Sequence, residues 1–355
     1  MTNPIPNIHV TNEIIRIRKE NPLIRDIVCL IGCFEDTETL NTPVLCKRLT
    51  EAEAIFGSDT QYDGNAALKQ IFHKDISGCI IVNCTTTTGS GDNITANRSL
   101  TVNKIETALN LVRLIDFDQV YCAVEYTDAI VESVDAFCNS RMESKHPCGY
   151  TAVGARTSAA TYTTTAGKIG DQITAFLTQP LEVNGTMLSL VESGAYLTNL
   201  IATLSVGSSL TSKTLTEVTG VGVDYTFDEG DLGETLVGLG FFVVRLIDAL
   251  NNTYECVNSA TPNGLDLYMN RVRDYIVNDF ALREALGEMN TVSVDLITLF
   301  CGDLYTKFVR DLKLVKDIIY AIEKEDSKTI DVLLEDLVFA DITTQINVKI
   351  NIRRE

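Results

Sequence analysis

At 355 residues the chain exceeds the length over which one hydrophobic core keeps growing, so two domains are expected. A hydrophobic fraction of 45% suits a folded protein, and 29 basic against 48 acidic residues leave a net charge of −19, which argues against a nucleic-acid or anionic-membrane partner. The first residues, Met-Thr-Asn-Pro-Ile-Pro, lack the basic and apolar segments of a secretory signal, and no apolar run reaches the roughly 18 residues of a membrane span.

Residues 1–22 read as an extended arm: Pro4, Pro6 and Pro22 bracket Ile8, Val10, Ile15 and Ile17, with Arg16, Arg18 and Lys19 interleaved. An α/β pattern follows. A buried strand ends at Gly32, Thr50 and Glu53 read as a capping box on a helix stopped by Gly57, and a second helix covers 64–74. Strands are expected at Ile80–Val82, Val120–Val124 and 149–153, with helices at 101–115 and 127–144 between them, which predicts a largely parallel sheet. Thr85–Asp92 and the Thr/Ala-rich stretch from Gly154 to Gly167 read as loops. A helix is expected near 168–177, and a strand at Met187–Val191 leads into a helix from Gly194 to Leu204.

The final third is expected to form a glycine-broken strand at 216–225, a short helix at 230–239, a hairpin of Phe241–Leu246 with Tyr254–Val257, and long amphipathic helices at 264–286 and 293–323. Two terminal strands close the chain. Ile330, Val332 and Leu334 alternate, and residues 333–341 connect them to a longer run. In that run Ile342, Thr344, Ile346, Val348, Ile350 and Ile352 alternate with polar residues, the period of a half-buried strand. A strand near a chain end needs a sheet to join, either in its own domain or, by strand addition, in a neighbouring subunit. The expected organisation is an arm at 1–22, an α/β domain at 23–215, a C-terminal α+β domain at 216–340 and a linking strand at 341–355.

No constellation for catalysis stands out. His9, His73 and His146 share no metal-ligand spacing, and neither a phosphate-binding loop with its lysine nor a nucleophile elbow occurs. Ten cysteines are scattered through apolar runs without a CxxC pair, which suits buried thiols in a reducing cytoplasm. Asp224, Asp228, Glu229 and Asp231 lack EF-hand spacing and read as a solvated turn. No cofactor or metal is expected. One charge pattern is unexpected in so acidic a chain: Lys307, Arg310, Lys313 and Lys316 recur every third residue. They are either a solvated face balanced by Asp303, Asp311 and Asp317 or a docking face for an acidic partner.

Several stretches resemble contractile tail sheath proteins of phages and phage-tail-like bacteriocins of the R type. Leu30-Ile-Gly-Cys-Phe-Glu35, Asn41-Thr-Pro-Val44 and the helix ending in Phe56-Gly57 are similar to the sheath pattern of strand, turn and helix. Gln70-Ile-Phe72 and Ile80-Ile-Val-Asn83 follow it. Gly220-Val-Gly-Val-Asp-Tyr-Thr-Phe227, Leu236-Val-Gly-Leu-Gly-Phe241, Val257-Asn-Ser259 and Asn270-Arg-Val-Arg-Asp-Tyr-Ile-Val277 resemble the later part. The resemblance implies a subtilisin-like α/β sandwich with helices on a mixed sheet, a C-terminal α+β sheath domain and no catalysis. It further implies subunits stacked as hexameric rings around an inner tail tube protein, with baseplate and tail-terminator proteins at the ends, linked by strands at Ile8–Ile17 and Ile342–Arg353. Assembly in a bacterial cytoplasm follows, and Lys307, Arg310, Lys313 and Lys316 are the residues expected to face the tube. The alternatives are an α/β enzyme using the 224–231 loop and a static surface lattice or filament.

Overall fold

The structure is a computed structural model that describes residues 26–36, 38–88, 95–144, 146–285, 294–324, 329–338 and 348–353. It divides into two compact units, one of residues 1–139 with 148–267 and one of residues 140–147 with 268–355. The arm residues Ile8, Val10, Ile15 and Ile17 lie outside the described residues, as do Ile342 and Ile346.

In chain order the first unit runs β1 (Ile27–Gly32), β2 (Val44–Cys46), α1 (Leu49–Phe56), α2 (Asp63–Ile71), β3 (Gly78–Asn83), β4 (Thr86–Thr88), β5 (Thr95–Asn97), α3 (Val102–Leu111), β6 (Gln119–Cys122), α4 (Asp128–Glu143) and β7 (Gly149–Val153). It continues with α5 (Ala159–Ala166), β8 (Ile173–Leu177), β9 (Leu181–Val183), β10 (Thr186–Met187), α6 (Leu190–Thr203), β11 (Val218–Val221), α7 (Leu232–Gly238), β12 (Val243–Asp248) and β13 (Thr253–Asn258). The last turn of α4 is counted with the second unit.

Six strands form the central sheet in the order β2-β3-β1-β6-β7-β8, parallel except for β2. Every residue of β1 and β3 is buried, because helices cover both faces. Along β1 the side chains alternate between two cores. Val28 and Leu30 pack with α1, α2 and α6; Ile27, Cys29 and Ile31 pack with α3 and α4. The α/β class expected from the alternation of strands and helices is therefore present, on a mixed sheet.

Local chemistry accounts for the departures from expectation. Thr86–Thr88 pairs with Thr95–Asn97 as a hairpin rather than a bare loop. The Thr/Ala stretch is helix α5 because Ser158 and Thr161 form a reciprocal capping box, and Thr163 and Thr164 return their hydroxyls to the carbonyls four residues back. The segment expected as a helix at 168–177 ends in strand β8, fully buried beside β7. Ser189 and Glu192 form a capping box that starts α6 at Leu190, before Gly194. At Gly194 a Cβ would stand 2.1 Å from Val153 Cγ1, so glycine lets α6 lie against the sheet. No box forms at Thr50–Glu53: Leu49 already belongs to α1, and Glu51 accepts instead from the Lys47 backbone N–H at 2.8 Å. Residues 216–267 belong to the first unit rather than to a C-terminal domain, since β11 pairs with β9.

The second unit holds α8 (Leu267–Ala285, from Tyr268 on), α9 (Val294–Tyr305), a π-helical turn (Thr306–Asp311), β14 (Asp317–Lys324), β15 (Thr329–Val338) and β16 (Val348–Arg353). The helix expected over 293–323 therefore stops at Asp311. The π turn closes with Leu312 N–H donating to the Lys307 carbonyl at 2.9 Å, Lys313 takes φ of 52°, and the β-branched run from Ile318 enters a strand. Likewise 333–338, expected as a connection, continues β15. Asn270, Arg271, Arg273 and Asp274 on α8 are all buried, with Arg273 Nη2 3.0 Å from Asp274 Oδ1.

All ten cysteines are buried, none in a disulfide. Burial pushes the thiols of Cys46, Cys84 and Cys122 up to about 12, leaving almost no thiolate at neutral pH. A colorimetric thiol reagent at neutral pH is expected to titrate fewer than about one thiol per folded chain and all ten in denaturant. Several fast-reacting thiols in the native protein would contradict this packing.

Candidate assembly surfaces

In the second unit β15 is the middle strand, paired antiparallel with β14 on one side and β16 on the other. The register sets Val348 opposite Leu334, Ile350 opposite Val332 and Ile352 opposite Ile330. Polar Lys349, Asn351 and Arg353 stand opposite Leu333, Asp331 and Thr329. The two alternating patterns are therefore in phase, as directly opposed residues share a face. The strand expected over 342–352 is described only at 348–353, and it is placed on its own chain's sheet.

The four basic residues do not form a helical stripe. Lys307 lies on the π turn, partly buried, with Nζ 2.5 Å from Asp279 Oδ1 and over the rings of Tyr275 and Phe308, at 5.6 and 5.2 Å. Phe308 is fully buried and meets Tyr275 edge-on, so Lys307 caps an aromatic pair inside its own unit. Arg310, Lys313 and Lys316 are exposed; the Arg310 guanidinium sits 6.0 Å from the Tyr305 ring centre.

The acidic turn is held by its own carboxylates. Asp231 Oδ2 accepts from the Asp228 backbone N–H at 3.2 Å, and Glu234 Oε2 accepts from Gly230 at 2.7 Å, where φ is +88°. Among the described residues no group of three or more His, Cys, Asp or Glu side chains is placed to hold a metal ion, and no helix is long and apolar enough to cross a membrane. His73 serves a structural contact, Nε2 3.5 Å from Glu217 and edge-on to Tyr196. His146 accepts at its backbone carbonyl from Arg141 Nε, at 3.0 Å.

Two surface features of the first unit were not anticipated. At the tip of the β12–β13 hairpin, Leu250 is 96% exposed, with Ile247 (46%) and Leu246 (37%) leading up to it. The tip is ordered by Asp248, whose Oδ1 accepts from the backbone N–H groups of Leu250 (2.9 Å) and Asn251 (3.3 Å), and whose Oδ2 accepts from Asn251 Nδ2 (2.6 Å). These bonds, Asn251 foremost, hold the Asp248 carboxyl below the usual range, so it stays charged. Asn252, at φ of 50°, donates Nδ2 to the Thr219 carbonyl at 2.5 Å. The sequence signal was Asp248-Ala-Leu-Asn-Asn252, a turn composition with an unshielded leucine in it.

The second feature is a cleft of about 210 Å³ between the end of α6 and residues 208–217. Its lining is mixed: Leu200, Leu204, Leu210 and Leu215 supply the apolar part, and Lys74, Lys213, Glu217 and several hydroxyl side chains the polar part. Lys74 Nζ lies 3.2 Å from Glu217 Oε2, which also accepts from Tyr196 at 3.0 Å. Burial alone would raise the Glu217 carboxyl, but the bonds from Lys74 and Tyr196 outweigh it and hold the group below its ordinary value. Lys213 is exposed, with no carboxylate within ion-pair distance among the described residues. No single stretch of sequence signals this cleft, because its walls come from three segments.

This arrangement, a doubly covered sheet followed by a helical and three-stranded unit, is the fold of contractile tail sheath proteins. The chain is similar to the sheath tail protein of Desulfitobacterium hafniense, with TM-score 0.69 and 12% identity over 95% of this chain and 98% of that one. It is similar to a sheath tail protein of Listeria innocua with TM-score 0.66 and 11% identity over 97% and 99%. The helical sheath of the anti-feeding prophage in its contracted state matches with TM-score 0.55 and 12% identity over 100% and 97%. No protein-family model matches the sequence, and no curated protein does.

The position of Lys307 separates it from the other three cations. Lys307→Glu sets a second carboxylate against partly buried Asp279 and is expected to destabilise the protein by about 2 kcal/mol, read as a lower thermal midpoint. Lys313→Glu and Lys316→Glu are expected to leave that midpoint within about 0.5 kcal/mol of the parent. Equal losses from all three would mean that Lys307 has no special internal role.

Proposed function

We propose that this chain is the structural subunit of a contractile tail sheath, polymerising with copies of itself around an inner tube and contracting to drive that tube through a target envelope. The observation that carries this reading is the end-to-end likeness to sheath tail proteins, 95% of this chain against 98% of the first structure. The anti-feeding prophage baseplate and contracted sheath structures, matched over 100% of this chain, support self-association and contact with a baseplate. Assembly in a bacterial cytoplasm and stacking as hexameric rings belong to the same proposal.

The linking element would be the C-terminal strand. β16 is joined to β15 by main-chain hydrogen bonds at a sheet edge, and an identical strand from a neighbour satisfies those bonds equally well. The arms at Ile8–Ile17 and Ile342–Arg353 would then tie copies together while the rest of each subunit moves as a body. Arg310, Lys313 and Lys316 are the exposed cations for an acidic tube surface. Lys307 is engaged by Asp279, Tyr275 and Phe308 inside its unit.

Negative-stain electron microscopy of the purified chain beside a copy ending at Ala340 tests the reading. Hollow ridged tubes from the full chain and unassembled, folded particles from the truncation are expected. Monodisperse small particles from both would reject the sheath, and tubes from both would reject the strand link. Co-assembly with the tube protein tests the cations. Charge reversal at Arg310, Lys313 and Lys316 together is expected to remove extended sheath-on-tube particles while tubes of sheath alone persist, and normal extended particles would refute the assignment.

A further inference from the structure

We infer that the β12–β13 hairpin of one copy inserts Leu250 into the Leu200–Leu204–Leu210–Leu215 cleft of another copy, a fixed contact between subunits in addition to the exchanged strands. The inference rests on the sheath reading, since that supplies the second copy. Leu250 is 96% exposed on a tip that Asp248 and Asn252 hold in one conformation, so little ordering entropy remains to be lost on docking. A large apolar side chain presented on a rigid turn is an anchor in want of a pocket.

The cleft matches it in size and in charge. At about 210 Å³ it falls below the volumes typical of cofactor and metabolite sites, yet it admits one branched aliphatic side chain. Four leucines supply the apolar part of a mixed lining, and of these Leu210 and Leu215 are 4% and 5% exposed, so they are already fixed by packing. Lys213 in the lining has no carboxylate in ion-pair distance among the described residues, and the hairpin brings the charged Asp248 two residues from Leu250. The opposite signs steer the tip to the cleft, in a chain whose net charge of −19 otherwise keeps copies apart.

Knob and hole are different patches of one unit, so the contact is heterologous. Such contacts repeat from copy to copy and close into rings or run on as helices, the two geometries that a sheath needs. Leu250 does not fill the cleft of its own chain, where it is almost wholly solvated. A partner copy is therefore the occupant.

The test uses the full chain. Leu250→Asp alters a solvated side chain, so its thermal midpoint is expected to match the parent. Its critical concentration for polymerisation, read by sedimentation, is expected to rise roughly ten- to a hundredfold, the loss of one buried leucine per contact. Because all ten native cysteines are buried, a chain carrying Leu250→Cys with Thr214→Cys at the cleft can be oxidised selectively at the new pair. Assembled protein is expected to give a ladder of covalent multimers on a non-reducing gel, and either single variant alone is not. Polymer of the Leu250→Asp chain at the parent concentration, or assembled double-cysteine chain that yields no ladder, would overturn the inference and leave the sheath standing. A link within single chains would overturn it too, by placing the chain's own hairpin in the cleft. A parent chain that never polymerises would reject the sheath reading and this contact with it.

Discussion

The pairing of β1 with β3 and β6 is the constraint on which the first unit depends. Each of these strands is buried on both faces, so β1 divides its side chains between two separate cores, and a slip of one residue would exchange the two sets. The register is fixed at its end by glycine. A Cβ at Gly32 would meet Gly64 Cα at 2.9 Å, so the chain after β1 can pass close to the start of α2 only because neither residue carries a side chain. From that point the Thr85 hydroxyl bridges Phe34, accepting from its N–H at 2.7 Å and donating to its carbonyl at 2.7 Å. The connection leaving β1 is thus pinned to the connection leaving β3, which makes the end of the sheet a stiff block.

A stiff block suits the subunit proposed here, which would be displaced whole. The cores are apolar, the cysteines are buried, and the polar interior of α8 is built from close pairs such as Arg273 with Asp274. Such interiors have discrete arrangements and transmit displacement rather than absorbing it. In the acidic stretch at 224–231 the Asp231 carboxylate accepts from the Asp228 N–H, and Glu234 just beyond it accepts from Gly230, so these two order the turn before α7.

Much of this was legible in the sequence, and the rest was not for identifiable reasons. The runs Ile27–Gly32 and Gly78–Asn83 are short, apolar and bounded by turn residues, so they read correctly as buried strands. The segment at 168–177 misled because Ile169, Ile173 and Phe176 recur at helical spacing, although Ile173–Leu177 is a strand buried on both faces, where no period of two need appear. The helical pattern runs on past Asp311 in the same way, since Phe308, Leu312 and Val315 keep a helical spacing across a π turn and a residue with positive φ. Of the surface sites, the alternation at Val348, Ile350 and Ile352 was legible because a strand's pattern is local. The cleft was not, because Lys74, Leu200 and Leu215 meet only through the fold.

The two kinds of contact argued for the subunit differ in what they resist. A strand added to β15 gains a row of main-chain hydrogen bonds whose geometry is indifferent to the orientation of the bodies at either end, provided the connecting chain is long enough. A leucine seated in a cleft is the opposite case, since dispersion contacts fall away within an ångström of misplacement. A lattice joined only by strands would hold together in any state and prefer none. A lattice joined only by knobs would come apart when it rearranged. With both present, the strands conserve connectivity while short-range contacts between bodies select one packing over another. In the sheath proposed here, free energy is then stored in the arrangement of the subunits.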